Sequence, residues 1–151
     1  MIEETVLIYL EANNQYLMMF RNKRENDYNK GKFIGIGGHI ESGETPEEAL
    51  VREVKEETNL DLINFTKRGE IRFLFDDYIE IMHVYHSIYF IGLLKPSSDE
   101  GEIMWIDKTA VFNLNIFESD KIFLKDLMEN NDYFKYEFNY KGGNFIGYKK
   151  Y

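Results

Sequence analysis

GGHIESGETPEEALVREVKEETNL, residues Gly37 to Leu60, decides how the rest of the chain is read. Seven of its residues are glutamates, and only Arg52 and Lys55 oppose them. The middle of the stretch opens like a helix. Thr45 can cap it, Pro46 suits the first helical position, and Glu48 completes a capping box with Thr45. The helix is expected to run to about Thr58 and to leave through Asn59, a residue type that tolerates the left-handed conformation at a helix exit. At about 100° per residue, with Glu53 at zero, Glu57 lies near 40° and Glu56 near −60°, so three carboxylates share one face, with Ala49 leaving room beside them. Leu50, Val54 and Val51 fill the adjacent arc and are expected to bury against a sheet. The acids therefore sit at the edge of a core.

Two readings of that face stand open. It is a solvated helix surface, as charge runs commonly are, or it holds a cation. Carboxylates at i, i+3 and i+4 each cost a few tenths of a kcal/mol, and Glu56 and Glu57 stand at the negative end of the helix dipole. A hard divalent cation would relieve both penalties, and oxygen-only donors favour Mg²⁺ or Mn²⁺.

Outward from this helix, Thr5–Leu10 and Gln15–Phe20 are apolar runs around an Asn13-Asn14 turn, a predicted β-hairpin. Arg21–Lys32 is polar throughout and reads as an exposed loop. Phe33–Ile40 alternates bulky residues with glycines, as tight strands do where backbones approach closely. Glu70–Phe75 and Ile79–Leu94 are rich in β-branched and aromatic residues and read as strands. Lys95–Gly101 reads as a loop and Glu102–Ile106 as a strand. Phe117–Met128 has helical spacing, Phe134, Tyr136, Phe138 and Tyr140 line one face of a strand, and Lys141-Gly142-Gly143 turns into a last one. Residues 1–151 thus read as one α/β domain, a mixed sheet flanked by two helices.

The 18 basic and 27 acidic side chains leave a net charge of −9. That sign disfavours duplex nucleic acid, while a small anionic ligand remains compatible if cations stand between it and the protein. The chain has no cysteine, so disulfides and thiolate metal sites are excluded. The apolar run after Met1 is too short for an export signal or a membrane span, which points to a cytoplasmic protein. Gly35-Ile36-Gly37 begins like a dinucleotide fingerprint, but Ile40 stands where the third glycine belongs. No Gly-Lys-Ser or Gly-Lys-Thr completes a P-loop, and no Gly-x-Ser-x-Gly elbow supplies a serine nucleophile. His83 and His86 fall on opposite faces of a strand, and with His39 they make no zinc set.

Gly38, five residues, Glu44, seven residues, Arg52-Glu53-Val54, any residue, Glu56-Glu57, any residue, Asn59, Leu60 resembles the Nudix box, with asparagine where that family has glycine. The resemblance implies an α/β/α sandwich around a mixed sheet and Mg²⁺-dependent hydrolysis of a nucleoside diphosphate linked to another moiety. It implies that Glu56 and Glu57 ligate the metal, that the Gly37 carbonyl can add a ligand, and that Glu53 is base or further ligand. Arg52 would fix the acids, Glu44 would support them, and Gly38 would lie against the substrate. A further carboxylate from outside the box would be Glu100, with Glu102 close behind.

Beyond the box, Ser97–Asp107 and Asn113–Asp120 resemble MutT-type diphosphatases, which turn a nucleoside triphosphate such as 8-oxo-dGTP into monophosphate and pyrophosphate and so sanitise the nucleotide pool. Phe117 matches a base-stacking position and Asp120 an edge-reading one, although core packing accounts for Phe117 as well. Ile34 stands where those relatives carry an asparagine. ADP-ribose, a dinucleoside polyphosphate or an RNA 5′ end remain alternative substrates. A non-catalytic nucleotide sensor is disfavoured by the intact Glu53, Glu56 and Glu57. A monomer or a homodimer is expected.

Overall fold

Asn13 and Asn14 adopt φ of 52° and 60°, both left-handed, which is the type I′ geometry whose twist suits a two-residue hairpin. In the computed structural model, which describes residues 1–151, this turn joins β1 (Ile2–Ala12) to β2 (Gln15–Arg21). The expected hairpin forms, but its strands stay paired only at Glu11↔Tyr16 and Ala12↔Gln15. They then part. β1 runs between antiparallel β4 (Ile36–His39) and parallel β6 (Ile79–Ile91), whereas β2 lies between β3 (Phe33–Ile34) and β7 (Gly101–Asp107). From β6 the sheet continues through antiparallel β5 (Asp61–Leu74) and parallel β8 (Phe134–Lys141) to the edge strand β9 (Asn144–Lys150).

Helix α1 (Pro46–Thr58) covers one face of this mixed sheet and α2 (Glu118–Glu129) the other. The alternation of β1 explains why Val6–Leu10 is apolar without a break. Leu7 and Tyr9 pack on the α2 side, and Val6, Ile8 and Leu10 on the α1 side, so both faces of the strand are buried. Phe134, Tyr136, Phe138 and Tyr140 all join the α2-side core, as their spacing predicts.

Four expectations need correction. Val51, at the far margin of the apolar arc, is 42% exposed; the buried arc is centred nearer Glu57. β5 begins at Asp61, not Glu70, because register shifts between Leu62 and Gly69 break the alternation that marks a strand in sequence. α2 begins at Glu118, with Phe117 as its extended cap residue. The Arg21–Lys32 segment is only partly solvated: Asp27 is tied to Arg21 at 2.7 Å, and the Tyr28 ring stacks on Phe117 with centroids 5.8 Å apart.

Arg68 on β5 joins the sheet to α2. It is 5% exposed, and its guanidinium donates to the carbonyls of Asp126 and Leu127 in the last turn of α2 and to those of Asn130 and Asp132 just beyond it. No helix is long and apolar enough to cross a membrane.

Candidate active site

Thr45 caps α1 reciprocally with Glu48, at 3.1 Å and 2.9 Å, and Asn59 exits at φ 67°, as the local residues dictate. Asn59 also donates its side-chain amide to the Leu93 carbonyl at 3.0 Å, which a glycine could not do. Together with Lys95, whose backbone amide donates to Thr58 O and whose ammonium donates to Glu56 O, it ties the loop after β6 to the end of α1. That tie brings Glu100 to the carboxylate face.

Arg52 organises the near side of the site. Its guanidinium donates twice to Glu44, at 2.6 and 2.9 Å, and also to Glu53 at 2.9 Å, Glu56 at 3.1 Å and the His39 carbonyl at 3.1 Å. A fork with five N–H groups suits this task where a point charge would not. Its hydrogen bonds hold the Glu44 carboxyl below the usual range. Gly38 faces Glu53 so closely that a Cβ would lie 2.6 Å from the carboxyl carbon, and a Cβ on Gly37 would meet the Val6 carbonyl. The glycine pair therefore lets β4 lie against both β1 and α1.

Glu57 is the buried acid of the face, 7% exposed, and accepts the Gly37 amide at 3.4 Å. Its other neighbour is the Glu100 carboxyl, a like charge that opposes its ionisation. Burial first, then Glu100, then Glu53, pushes its pKa up to about 9. Burial also raises Glu53, against the pull of Arg52. Glu56 is the outermost, its side chain 59% exposed. As the chain stands, these acids do not converge on one point, because Arg52 draws Glu53 and Glu56 to one side.

Glu100 and Glu102 separate cleanly. Glu100 lines the cavity and is paired with Arg21 at 3.2 Å and Arg24 at 3.6 Å. Glu102 faces away, accepting from Asn22 at 3.4 Å, because β7 alternates its side chains across the ladder with β2. The expectation that Glu102 follows close behind Glu100 as a ligand does not fit this placement.

The cavity itself holds about 520 Å³ and has two ends. Gly37, Gly38, Glu53, Glu57 and Glu100 form one; Phe73, Phe75, Phe117 and Tyr28 wall the other. Lys32 lies over the Phe117 ring at 5.1 Å. Asp120, in the first turn of α2, is 6% exposed and lines the aromatic end. Burial lifts its pKa to about 7, with Lys32 and the Ser119 hydroxyl pulling it back.

A carboxyl whose folded pKa is raised above its unfolded value favours the fold most below the unfolded value, and that contribution is lost as pH rises through the folded one. Asp120→Asn is therefore expected to stabilise the protein by on the order of 4 kcal/mol at pH 8 and by little more than a third as much at pH 5. Denaturant melts at the two pH values check this, and equal effects at both would oppose it.

Sequence reasoning missed Tyr28, Glu80 and Arg68. Glu80 carried a signal, a charged residue in step with Met82 and Val84 on the inward face of β6. Tyr28 and Arg68 carried none, since their partners lie far along the chain.

A helix that presents carboxylates to one end of a cavity with aromatic walls, on a mixed sheet between two helices, is the arrangement of a Nudix hydrolase. The chain belongs to the Nudix family: the NUDIX domain model matches residues 1–127. It is 26% identical over 136 residues to an uncharacterized Nudix hydrolase of Bacillus subtilis, covering 87% of this chain and 82% of that one. It is 28% identical over 126 residues to the oxidized purine nucleoside triphosphate hydrolase of Danio rerio, covering 82% and 79%. In structure it superposes on a MutT protein from Bacillus halodurans with a TM-score of 0.88 over 98% of this chain and 97% of that one, at 21% identity.

Proposed function

We propose that this Nudix hydrolase converts a nucleoside triphosphate to the monophosphate and pyrophosphate with Mg²⁺, which Mn²⁺ can replace, and that its substrate carries an oxidised purine such as 8-oxo-dGTP. One observation carries the reading: a single cavity joins an acidic end suited to cation-bound phosphates and an aromatic slot with a buried acid suited to a base. The similarity to the Danio rerio enzyme, which acts on oxidised purine nucleoside triphosphates, supports the same substrate class.

The donor set fits a hard divalent cation. Glu57 and Glu100 face each other, no lysine or arginine lies at Glu57, and every available donor is an oxygen. Glu53, Glu56, Glu57 and Glu100 would hold the ion, with Glu56 released from Arg52. When bound, it supplies neutralising charge to phosphate oxygens and lowers the pKa of water.

The remaining chemistry belongs to the chain. Arg52 positions Glu53 at the junction of the acidic end and the rest of the cavity, where its carboxylate takes the proton of the attacking water. The water oxygen bonds to phosphorus, the anhydride P–O bond breaks, and pyrophosphate leaves. The aromatic walls hold the base while Asp120 reads its edge.

Release of pyrophosphate from 8-oxo-dGTP, dGTP and ADP-ribose, each with and without Mg²⁺, tests the proposal. Turnover is expected to vanish on chelation, and 8-oxo-dGTP to exceed dGTP in kcat/KM by more than about tenfold, or 1.4 kcal/mol. A smaller ratio, or a preference for ADP-ribose, would overturn the substrate assignment.

A further inference from the structure

The aromatic end of the cavity contains a second acid, Glu80. It sits on β6 directly across from Phe73 on β5, on the face that packs toward α2, so it rises from the sheet while Asp120 enters from the helix. Thr5 Oγ1 donates to its Oε2 at 2.7 Å, and that is its one side-chain hydrogen bond within the protein. Two carboxyls on different walls of one slot, Asp120 buried and Glu80 half-buried, thus present acceptor oxygens to its interior, where N–H groups of a ligand can meet them.

A flat base between the aromatic walls must meet both. Guanine offers N–H donors at N1 and N2 on one edge, but on the other it shows only the acceptors N7 and O6. A carboxylate facing that edge is repelled. Oxidation at C8 places a hydrogen on N7 and turns the same position into a donor.

We infer that Glu80 is a second base-reading residue, and that with Asp120 it selects a guanine bearing N–H donors on both edges, as 8-oxoguanine does and guanine does not. The inference rests on reading the cavity as a nucleotide site, and it assigns the discrimination to a residue of β6 outside the catalytic helix.

Calorimetric titration of 8-oxo-dGMP and dGMP without metal, into the full chain and into Glu80→Gln, tests it. The native protein is expected to bind 8-oxo-dGMP at least tenfold tighter. The isosteric amide adds a donor that N7 of dGMP can accept, so the ratio should narrow by roughly tenfold or more. A Glu80 that only shapes the slot would weaken both ligands equally and leave the ratio unchanged, which would overturn the inference, as would a native protein without preference. Hydrolysis of 8-oxo-dGTP with Mg²⁺ is measured alongside. A binding preference without turnover rejects the hydrolytic assignment and leaves Glu80 in place; no binding of either monophosphate overturns the inference, and turnover then decides the hydrolytic assignment by itself.

Discussion

Replacing Glu57 with glutamine is expected to lower kcat by roughly 10³-fold while making the metal-free protein more stable. Both effects come from the same placement. Glu57 is buried against the Gly37 amide and the Glu100 carboxyl, with no cationic side chain beside it. A charge there is costly to the fold by itself and useful only to a cation. The amide preserves shape, removes the burial penalty and its repulsion from Glu100, and weakens the oxygen set that the cation requires. Steady-state turnover at saturating Mg²⁺, together with thermal melts in chelator, measures the two halves. Turnover within about tenfold of native would remove Glu57 from the ligand set. A lower melting temperature would show that the carboxylate serves the fold instead. Stability given up for a charged site is a recurring trade in enzymes.

Arg68→Ala should cost about 3–5 kcal/mol, a fall in Tm on the order of 10 °C. The guanidinium reaches four backbone carbonyls where α2 ends, and its removal strips the buried Leu127 carbonyl of its side-chain donor and unties the chain that follows the helix. Arg68→Lys is expected to recover only part of the loss, because one ammonium cannot span carbonyls spread from Asp126 to Asp132. Since α2 carries Asp120 in its first turn, the alanine variant should also bind nucleotide more weakly than its folded fraction explains. Chemical denaturation of the three proteins checks the order native, lysine, alanine. An alanine variant within about 1 kcal/mol of native would mean that water reaches these carbonyls.

Much of the site was legible because its signals are local. The Thr45–Glu48 cap, Pro46, the left-handed Asn59 and the clustering of Glu53, Glu56 and Glu57 on one arc each depend on residues within a turn or two of one another. The Asn13-Asn14 turn and the alternating Phe134–Tyr140 face are local in the same sense. Even so, the arc alone did not rank its acids. Glu57 is buried and Glu56 half in solvent because the sheet lies nearer one side of α1 than the apolar residues alone suggested.

The sequence by itself determined the helix and its caps, the hairpin turn, the glycine pair and the family pattern, all matters of backbone preference and periodicity over short spans. Only the tertiary structure decided that β1 and β2 diverge, that Glu100 rather than Glu102 reaches Glu57, that Tyr28 folds onto Phe117, and that Arg68 and Glu80 face α2. These depend on pairing register between segments tens of residues apart, where a slip of one residue sends every side chain to the opposite face.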